Sequence, residues 1–232
     1  MTTVTAVLDS PPDLIAIPGA APVDPDTVLV TSPPGPFLIA VEGIDGSGKS
    51  TLARALADDL AALLTHEPGA TGLGRTLRRL ALHPQPGEEP APLTEALLMA
   101  ADRSQHLAEV IEPALAAGRH VVTDRYVGST LAYQGYGRGL DLGTLATINR
   151  VATTGRYPDL TILVDVSVET ALARLGTLDH IEAQGEEYFH RVRMGFLMLA
   201  RRDPRWVTVD ASGPPEEVHA LARRALGEAL GL

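Results

Sequence analysis

The stretch FLIAVEGIDGSGKST, residues 37–51, decides the fold of this chain. It opens with an apolar run that has the composition of a buried β-strand, and Glu42 ends that run. The pattern Gly-x-x-x-x-Gly-Lys-Ser follows from Gly43 to Ser50, and a helix-forming segment continues from Thr51. A strand, a glycine-rich turn and a helix in this order are the context that a phosphate-binding loop requires. The alternative is a glycine turn that occurs by chance, and the strand before it and the helix after it disfavour that alternative.

The residue types of this loop match the chemistry of binding a nucleoside triphosphate. Glycines let backbone N–H groups turn inward around an anion, and the helix N-terminus adds its positive end. Lys49, the only lysine in the chain, is predicted to reach the β- and γ-phosphates, and the Ser50 hydroxyl to hold Mg²⁺. The predicted ATP site consists of Gly43, Asp45, Gly46, Ser47, Gly48, Lys49, Ser50 and Thr51.

The composition argues against several other classes of function. The net charge of −10 disfavours a general binder of nucleic acid or of anionic membranes, since both favour a basic surface. The chain has no cysteine, which excludes disulfides, thiolate zinc sites and a cysteine nucleophile. No apolar run approaches the roughly 18 residues that span a bilayer. No basic residue precedes Lys49, unlike in a signal peptide, so we predict a cytoplasmic protein.

Strand and helix patterns alternate from Phe37 onward, which predicts an α/β fold: a P-loop NTPase-type parallel sheet of about five strands with helices on both faces. The predicted strands are Phe37–Glu42, Leu63–His66, Arg119–Asp124, Leu160–Val166 and Trp206–Asp210. The predicted helices are Lys49–Leu63, Gly72–Leu82, Leu93–Ala117, Leu142–Gly155, Val168–Leu175, Ala183–Arg202 and Pro215–Leu230. In such sheets the chemistry lies at the carboxyl ends of the strands. The acidic residues at these ends are Glu42, Glu67, Asp124 and Asp165.

The chain divides into a leader and one domain. Residues 1–36 are rich in proline and show no sustained helix or strand period, so we predict a disordered or loosely docked extension. Short apolar pieces within the leader, such as 14–17, are alternatively an edge strand or a partner contact. Residues 37–232 are predicted to form the phosphate-loop domain, with a short lid near 174–182.

The predicted strand 119–124 ends in an acidic–basic pair, Asp124 and Arg125. Asp124 is placed as a carboxylate that holds the Mg²⁺ shell through water. Arg125 faces the same mouth and is predicted to clamp a second phosphate with its planar guanidinium. A structural salt bridge is the alternative for this pair, and a phosphate loop one strand away disfavours it.

Nine segments of the chain, in the same order as in the family, resemble the thymidylate kinase family. The similar segments are EGIDGSGKST (42–51), HEPG (66–69), LRRL (77–80), LLMAADR (97–103), DRYVGSTLAYQGYGRG (124–139), YPDL (157–160), ILVDV (162–166), LDHIE (178–182) and VDAS (209–212). The phosphate loop alone is common to many families, but joined to the other segments it becomes specific. The resemblance implies phosphorylation of dTMP to dTDP with ATP and Mg²⁺, for dTTP biosynthesis, by a homodimer.

The resemblance also implies roles around the sugar and phosphate of dTMP. Asp45 is expected to approach the 3′-hydroxyl and the metal, and Tyr133 to lie beneath the sugar and exclude a ribose 2′-hydroxyl. Arg125 and Arg78 are expected to hold the phosphate, since an arginine is a fork of donors. Two alternatives stay open: Arg78 as part of a solvated helix face, and Tyr133 as a core residue.

Other positions are implied to contact the base. Arg103 is expected to hydrogen-bond the thymine edge, with Thr130 and Gln134 as further contacts, unless these two only cap the helix after the Asp-Arg-Tyr loop. Glu67 and Met99 complete the implied substrate site. Met99 stands where the family has an aromatic residue that stacks on thymine; methionine is polarizable but gives a less defined platform.

Two further departures concern charge. His66 replaces the arginine usual before Glu-Pro-Gly, which makes one charge near the acceptor phosphate pH-dependent. The family supplies a phosphoryl-transfer arginine from the phosphate loop or the lid, yet this loop has Ser47 and this lid has His180 in place of arginine, leaving Arg174. Either Arg174 or a more distant arginine takes that role. The distant candidates are Arg138, Arg191 and Arg193, and the predicted catalytic set is Lys49, Arg125, Asp45 and Arg174.

Two alternative functions remain open at this point. The first is a kinase for another deoxynucleotide or for a deoxynucleoside, because Met99 and His66 loosen the assignment to dTMP. The second is a catalytically weak nucleotide-binding protein with a regulatory role, which the arginine-poor lid favours and the intact Lys49 and Asp124 disfavour.

Overall fold

A central sheet of five parallel strands organises the domain, in a computed structural model that describes residues 35–175, 181 and 184–231. The strands are β1 (Leu38–Glu42), β2 (Leu63–His66), β3 (Val121–Asp124), β4 (Leu160–Asp165) and β5 (Trp206–Asp210). Their order across the sheet is β2-β3-β1-β4-β5, and every pairing is parallel. All residues of β1 are buried, as expected for a central strand covered on both faces.

Helices follow each strand. They are α1 (Lys49–Asp59), α2 (Gly72–Leu82), α3 (Pro92–His106), α4 (Glu112–Ala116), α5 (Val127–Thr130), α6 (Leu142–Ala152), α7 (Val168–Ala173), α8 (Glu186–Arg202) and α9 (Pro215–Leu230). Two π-helical turns, Leu107–Ile111 and Leu131–Gly137, continue α3 and α5.

The core lies on both faces of the sheet. Alternate residues of β1 belong to different apolar clusters: Ile39 and Val41 pack in the larger cluster, and Leu38 and Ala40 in the smaller. This alternation follows from the two-residue period of a strand. The predicted fold class, a P-loop NTPase-type α/β sheet with helices on both faces, is confirmed.

Two predicted helix boundaries were wrong for a physical reason. The helix from Lys49 ends at Asp59 rather than continuing to Leu63, because Ala61 adopts a left-handed φ of 49° and reverses the chain before β2. The predicted helix Leu93–Ala117 is continuous in direction but contains the π-helical turn between α3 and α4. The other strand and helix boundaries differ by a few residues at their ends.

The helical segment 127–137 was missing from the predicted helices. Its glycines lower helix propensity, but tertiary packing requires them. A Cβ on Gly135 would lie 2.4 Å from Leu142 Cδ2, and one on Gly137 would lie 2.6 Å from the Tyr188 ring. Close packing of segment 127–137 against α6 and α8 therefore explains its glycines. Their low helix propensity makes the segment hard to recognise as a helix from the sequence.

The carboxyl ends of neighbouring strands bring the candidate site together. Val41 in β1 is in register with Asp124 in β3 and with Ile162 in β4, and His66 ends β2 beside Asp124. The loop after β1 and the residues after β2 and β3 consequently open on one edge of the sheet.

Parts of the sequence lie outside the described residues. These are most of the leader, of which residues 35 and 36 are described, and most of the lid, of which Arg174, Leu175 and Ile181 are described. His180 lies outside the described residues. Within the described part of the chain, no helix combines the length and the apolar character needed to cross a membrane.

Candidate active site

The loop between β1 and α1 is shaped by glycines. Gly46 has a φ of 78°, and a Cβ there would lie only 2.1 Å from the Ala171 carbonyl oxygen in α7. Gly48 has a φ of 94° and precedes α1 without any side chain capping the helix. The N–H groups of Lys49 and Ser50, at the start of α1, therefore have no intrahelical acceptor, and such free N–H groups at a helix N-terminus can bind phosphate oxygens.

Lys49 is buried beneath this loop. Its Nζ lies 3.3 Å from the Ile44 carbonyl oxygen and 3.4 Å from Asp45 Oδ1. Burial and the nearby Arg125 charge lower the pKa of Lys49, whereas Asp45 and Asp124 act to raise it. Burial prevails over the two carboxylates, so the net shift of the Lys49 pKa is downward.

Ser50 and Asp124, the two residues predicted to hold Mg²⁺, meet at the start of α1. The Ser50 hydroxyl donates a hydrogen bond to Asp124 Oδ2. Asp124 Oδ1 is buried and, among the described residues, has no hydrogen-bond partner. A hydroxyl and a carboxylate with an unsatisfied oxygen fit the oxygen ligands that Mg²⁺ prefers.

Arg125 follows β3 in a left-handed conformation with a φ of 72°, which turns its side chain toward the phosphate loop. The guanidinium donates to the Gly43 carbonyl (3.3 Å), to Ser129 Oγ (3.0 Å), to Tyr133 Oη (3.1 Å) and to Asp45. Its Cζ lies 4.9 Å from the centre of the Tyr133 ring. The arginine is therefore held from several sides at the mouth of the site.

Asp45 connects the phosphate loop to Arg125. It contacts Lys49 and Arg125 and accepts a hydrogen bond of 2.7 Å from Tyr133 Oη. Burial alone would raise the pKa of Asp45, but the Arg125 and Lys49 charges outweigh it and hold the pKa well below its usual range. Asp45 is thus ionised throughout the neutral range.

Arg103 is nearly fully buried in α3. Its Nε donates to Glu67 (2.8 Å), Nη1 donates to Thr130 (2.9 Å) and Asn149 (2.6 Å), and Nη2 donates to the Tyr126 carbonyl (2.9 Å). A guanidinium has five N–H donors. These contacts leave one N–H on Nη2, which suits a single carbonyl oxygen better than a phosphate.

Glu67 faces the cleft but already has partners for both oxygens. Oε2 accepts from Arg103 Nε, and Oε1 lies 2.9 Å from His106 Nδ1. His106 is fully buried, and its Nε2 contacts Thr65 Oγ1 at 2.7 Å. Glu67, which the sequence analysis placed among the substrate contacts, therefore holds Arg103 in this structure.

All residues predicted to bind the substrate line one cleft of about 630 Å³, including space open to solvent. The lining residues are Asp45, Glu67, Pro68, Arg78, Leu82, Met99, Asp102, Arg103, Arg125, Ser129, Thr130, Tyr133, Gln134 and Ile181.

The structure decides the alternatives left open for three of these residues. Arg78 lies on the cleft wall and donates to the Pro68 carbonyl at 2.9 Å, so it is not simply a solvated helix residue. No side chain caps α5 or the π-helical turn that continues it, so the capping alternative for Thr130 and Gln134 was wrong. Gln134 Nε2 donates to Glu95 at 2.8 Å, which leaves its carbonyl oxygen for other contacts.

Asp102 and Ser129 line the cleft without having been predicted. Asp102 Oδ1 accepts from the Gly69 N–H at 2.9 Å, and burial together with the Glu67 charge raises the pKa of Asp102 to about 6. Both residues stand inside segments quoted for the family resemblance, AADR and DRYVGST, and that membership was the available signal.

Comparison with known proteins identifies the family. A family model described as thymidylate kinase matches residues 41–222. The chain belongs to the thymidylate kinase family. It is 48% identical to a thymidylate kinase of Synechococcus sp. (strain RCC307), over 85% of this chain and 98% of that protein. It is also 48% identical to one from Cereibacter sphaeroides (strain ATCC 17029 / ATH 2.4.9), over 82% and 94%.

A solved structure supports the same assignment. The crystal structure of thymidylate kinase from Ehrlichia chaffeensis superposes with a TM-score of 0.68 at 33% identity, over 83% of this chain and 99% of that chain. The kinase family predicted from the sequence is therefore confirmed.

A second cleft borders the phosphate loop. Its lining residues are Ser47, Gly48, Thr51, Leu52, Ala55, Arg174, Ala211, Gly213, Pro215, Glu216, Val218 and His219. It adjoins the loop and the start of α1. The phosphate loop thus borders both clefts, through Asp45 in the first and through Ser47 and Gly48 in the second.

The candidate arginines differ in their surroundings. Arg174 is exposed, lines the second cleft and lies 3.4 Å from the Gly46 carbonyl oxygen through Nη1. The others are engaged elsewhere: Arg138 with Glu95, Arg191 with the Gly137 carbonyl, and Arg193 in a two-point ion pair with Asp165. Arg174 is the candidate that contacts the phosphate loop.

His66 lies at the end of β2, next to Glu67 of the first cleft. Burial and the Arg78 charge lower the pKa of His66, while Asp124 and Glu67 act to raise it. The net direction makes this imidazole neutral at neutral pH. The departure from the family arginine therefore removes a positive charge under those conditions.

Proposed function

We propose that this chain transfers the γ-phosphoryl group of ATP–Mg²⁺ to the phosphate of dTMP, giving dTDP. The observation that carries the proposal is the position of Asp45, which contacts both Lys49 and Arg125. The triphosphate loop and the arginine proposed to hold the acceptor phosphate are therefore adjacent. Positioning two phosphates in line supplies a large part of the catalysis of phosphoryl transfer.

The first cleft supports a pyrimidine acceptor. The remaining Arg103 N–H is a donor for a base carbonyl, and the Gln134 carbonyl oxygen is an acceptor for the base N3–H. Met99 lines the same cleft and offers a polarizable surface for the base. Tyr133, fixed by Asp45 and Arg125, offers a ring beneath the sugar. A donor beside an acceptor matches the edge of thymine or uracil.

The proposed reaction needs no strong general base, because the acceptor is already an anionic phosphate oxygen. That oxygen attacks the γ-phosphorus as the bond to the β-phosphate oxygen breaks. Lys49 and the N–H groups of the loop stabilise the charge that develops on the phosphates. Ser50 and Asp124 are positioned to hold Mg²⁺, which when bound neutralises phosphate charge. Arg125 holds the acceptor phosphate, and Arg78 lines the same cleft.

We further propose that Arg174 stabilises the transferring phosphoryl group. Its contact with the Gly46 carbonyl places it beside the loop that cradles the triphosphate. The sequence of the remaining lid residues contains neither arginine nor lysine. Residues 37–232 are proposed to be the catalytic domain and 1–36 an extension, in a cytoplasmic enzyme.

A substrate panel tests the proposed function. With [γ-³²P]ATP and Mg²⁺, we expect dTMP to give dTDP with kcat/KM at least about tenfold above that for dCMP, because the 4-amino group of cytosine presents a donor to Arg103. Thymidine is expected to be inert, since it lacks the phosphate that Arg125 holds. Equal or greater turnover of dUMP, dCMP or thymidine would contradict the assignment to dTMP.

We also propose a homodimer. α3 packs against both α2 and α6, and these three helices present large apolar side chains to solvent. The exposed residues are Leu73, Leu80, Leu93, Leu97 and Val151. Exposed apolar clusters of this kind mark protein interfaces.

The dimer proposal predicts a matched pair of results. By light scattering, the wild-type protein should have the mass of two chains, and Leu97→Asp should shift it toward one. Leu221→Asp in α9, a leucine of similar exposure on another surface, should remain dimeric. A monomeric wild type, or a dimeric Leu97→Asp variant, would contradict the proposed interface.

A further inference from the structure

Glu42, the last residue of β1, is fully buried directly before the phosphate loop. Its Oε1 accepts hydrogen bonds from the backbone N–H groups of Tyr126 (2.9 Å) and Ser129 (3.0 Å). Its Oε2 accepts from the Ser129 hydroxyl at 2.6 Å. α5 begins after Tyr126 without a side chain from its own N-cap residue, so this carboxylate, 84 residues away in sequence, serves its first turn.

Ser129 passes this constraint on to Arg125. A hydroxyl has one hydrogen, and in this structure it is directed to Glu42. The oxygen lone pairs then accept the hydrogen bond from Arg125 Nη1 at 3.0 Å. The same nitrogen also lies 3.3 Å from the carbonyl oxygen of Gly43, the residue after Glu42. The end of β1 therefore holds the guanidinium from two directions.

The packing around Glu42 leaves no room for adjustment. A Cβ on Gly128 would lie 2.8 Å from Glu42 Oε1 and 2.6 Å from Trp206 Cη2. A glycine is thus needed for β1, α5 and β5 to approach so closely. An unpaired buried charge would be strongly destabilising. The three hydrogen-bond donors are therefore what allows the Glu42 carboxylate to be buried here.

We propose that Glu42 is a positioning residue that acts through Ser129 to hold Arg125 at the acceptor phosphate, in register with the phosphate loop. The inference rests on the proposed function, because it assumes that Arg125 binds the dTMP phosphate. In this proposal a single carboxylate connects the phosphate loop, which binds ATP, to Arg125, which binds the acceptor phosphate. No substrate atom needs to touch Glu42.

The ionisation of Glu42 supports a dependence on pH. Burial raises the pKa of Glu42 to about 7, against the Ser129 hydroxyl, the Arg125 charge and the two backbone N–H groups, which lower it. Arg125 is the one charged group among these. Protonation would place a hydrogen on one carboxyl oxygen and remove an acceptor from the three donors. Arg125 is therefore expected to be held less firmly by Glu42 and Ser129 as the pH falls below about 7.

The first test uses Ser129 in the full-length enzyme. Ser129→Ala should raise KM for dTMP roughly tenfold, the size expected for losing one hydrogen bond to a charged group, and leave KM for ATP within about twofold. Ser129→Thr keeps the hydroxyl and should restore KM for dTMP to within about threefold of wild type. Ser129→Ala with unchanged KM for dTMP, or with equal increases for both substrates, would overturn the proposal.

The second test uses Glu42→Gln, whose single carbonyl oxygen cannot satisfy three donors. Wild-type kcat/KM for dTMP should fall between pH 8 and 6, through Glu42 and through the substrate phosphate, which titrates near pH 6. The variant should be weaker at pH 8, and its profile should keep only the substrate's own limb. An unchanged wild-type profile in the variant would overturn the role of Glu42.

Arg125→Ala, measured in parallel, separates this inference from the proposed function. If Arg125→Ala binds dTMP as tightly as wild type, the proposed role of Arg125 fails. If Arg125→Ala weakens dTMP binding while Ser129→Ala and Ser129→Thr both behave as wild type, the acceptor site stands and only the inference fails.

Discussion

Lys49→Met is expected to lower kcat for dTDP formation by roughly 10³-fold or more, comparable to removing a main electrostatic donor in other active sites. The substitution keeps the length of the side chain and removes the charge that lies beneath the phosphate loop. Lys49 is 6% exposed, and its ammonium contacts the Ile44 carbonyl and Asp45. Single-turnover transfer from [γ-³²P]ATP to dTMP measures the effect.

The fold should survive this substitution. Burial already disfavours the charged form of Lys49, as the lowered pKa shows, so an apolar side chain of the same length is tolerated there. The melting temperature should stay within about 5 °C of wild type. Arg54→Met provides the matched control, because Arg54 is an exposed cation on the same helix. Full activity of Lys49→Met would mean that the loop does not bind the triphosphate as described.

Arg174→Ala is expected to lower kcat by about 10²–10³-fold, at or below the lower limit of the roughly 10³–10⁵-fold contribution of transfer arginines in phosphate-loop enzymes. The lower end applies because Arg174 is exposed, and solvent screens its charge. KM for dTMP should change little, since Arg174 lines the second cleft and not the first. Steady-state kinetics at saturating ATP separate the two parameters.

Arg191→Ala is the control for this prediction. Arg191 contacts the Gly137 carbonyl at 3.2 Å and lines neither cleft, so its loss should change kcat by less than about tenfold. If Arg174→Ala keeps at least half of the wild-type kcat while Arg138→Ala or Arg193→Ala loses most of it, the transfer role belongs to one of those residues.

Local sequence patterns were enough to predict the phosphate loop and the order in which strands and helices follow one another along the chain. The loop is a contiguous segment between β1 and α1, and glycines at fixed spacing report its backbone directly. The cleft residues were predicted as a set through family resemblance, because their positions are spread from Asp45 to Gln134 and share no period.

The contacts that hold the cleft together were beyond sequence reasoning. Glu67 pairs with Arg103 across 36 residues, and Glu42 pairs with Ser129 across 87. Neither pair follows a helical or strand spacing, so only the packing of α3 and α5 against the sheet brings them together. The helix at 127–137 was missed for a related reason: its glycines serve distant neighbours and oppose the local propensity.

The central claim is that two phosphates meet at Asp45, one held by the loop around Lys49 and one by Arg125. A crystal structure with dTMP and a non-hydrolysable ATP analogue tests it most directly. We predict the dTMP phosphate within hydrogen-bonding distance of Arg125, the thymine beside Arg103, and the γ-phosphate contacted by Lys49 and Arg174. A cleft beside Arg103 and Tyr133 that stays filled by protein side chains and admits no pyrimidine nucleotide would contradict the account.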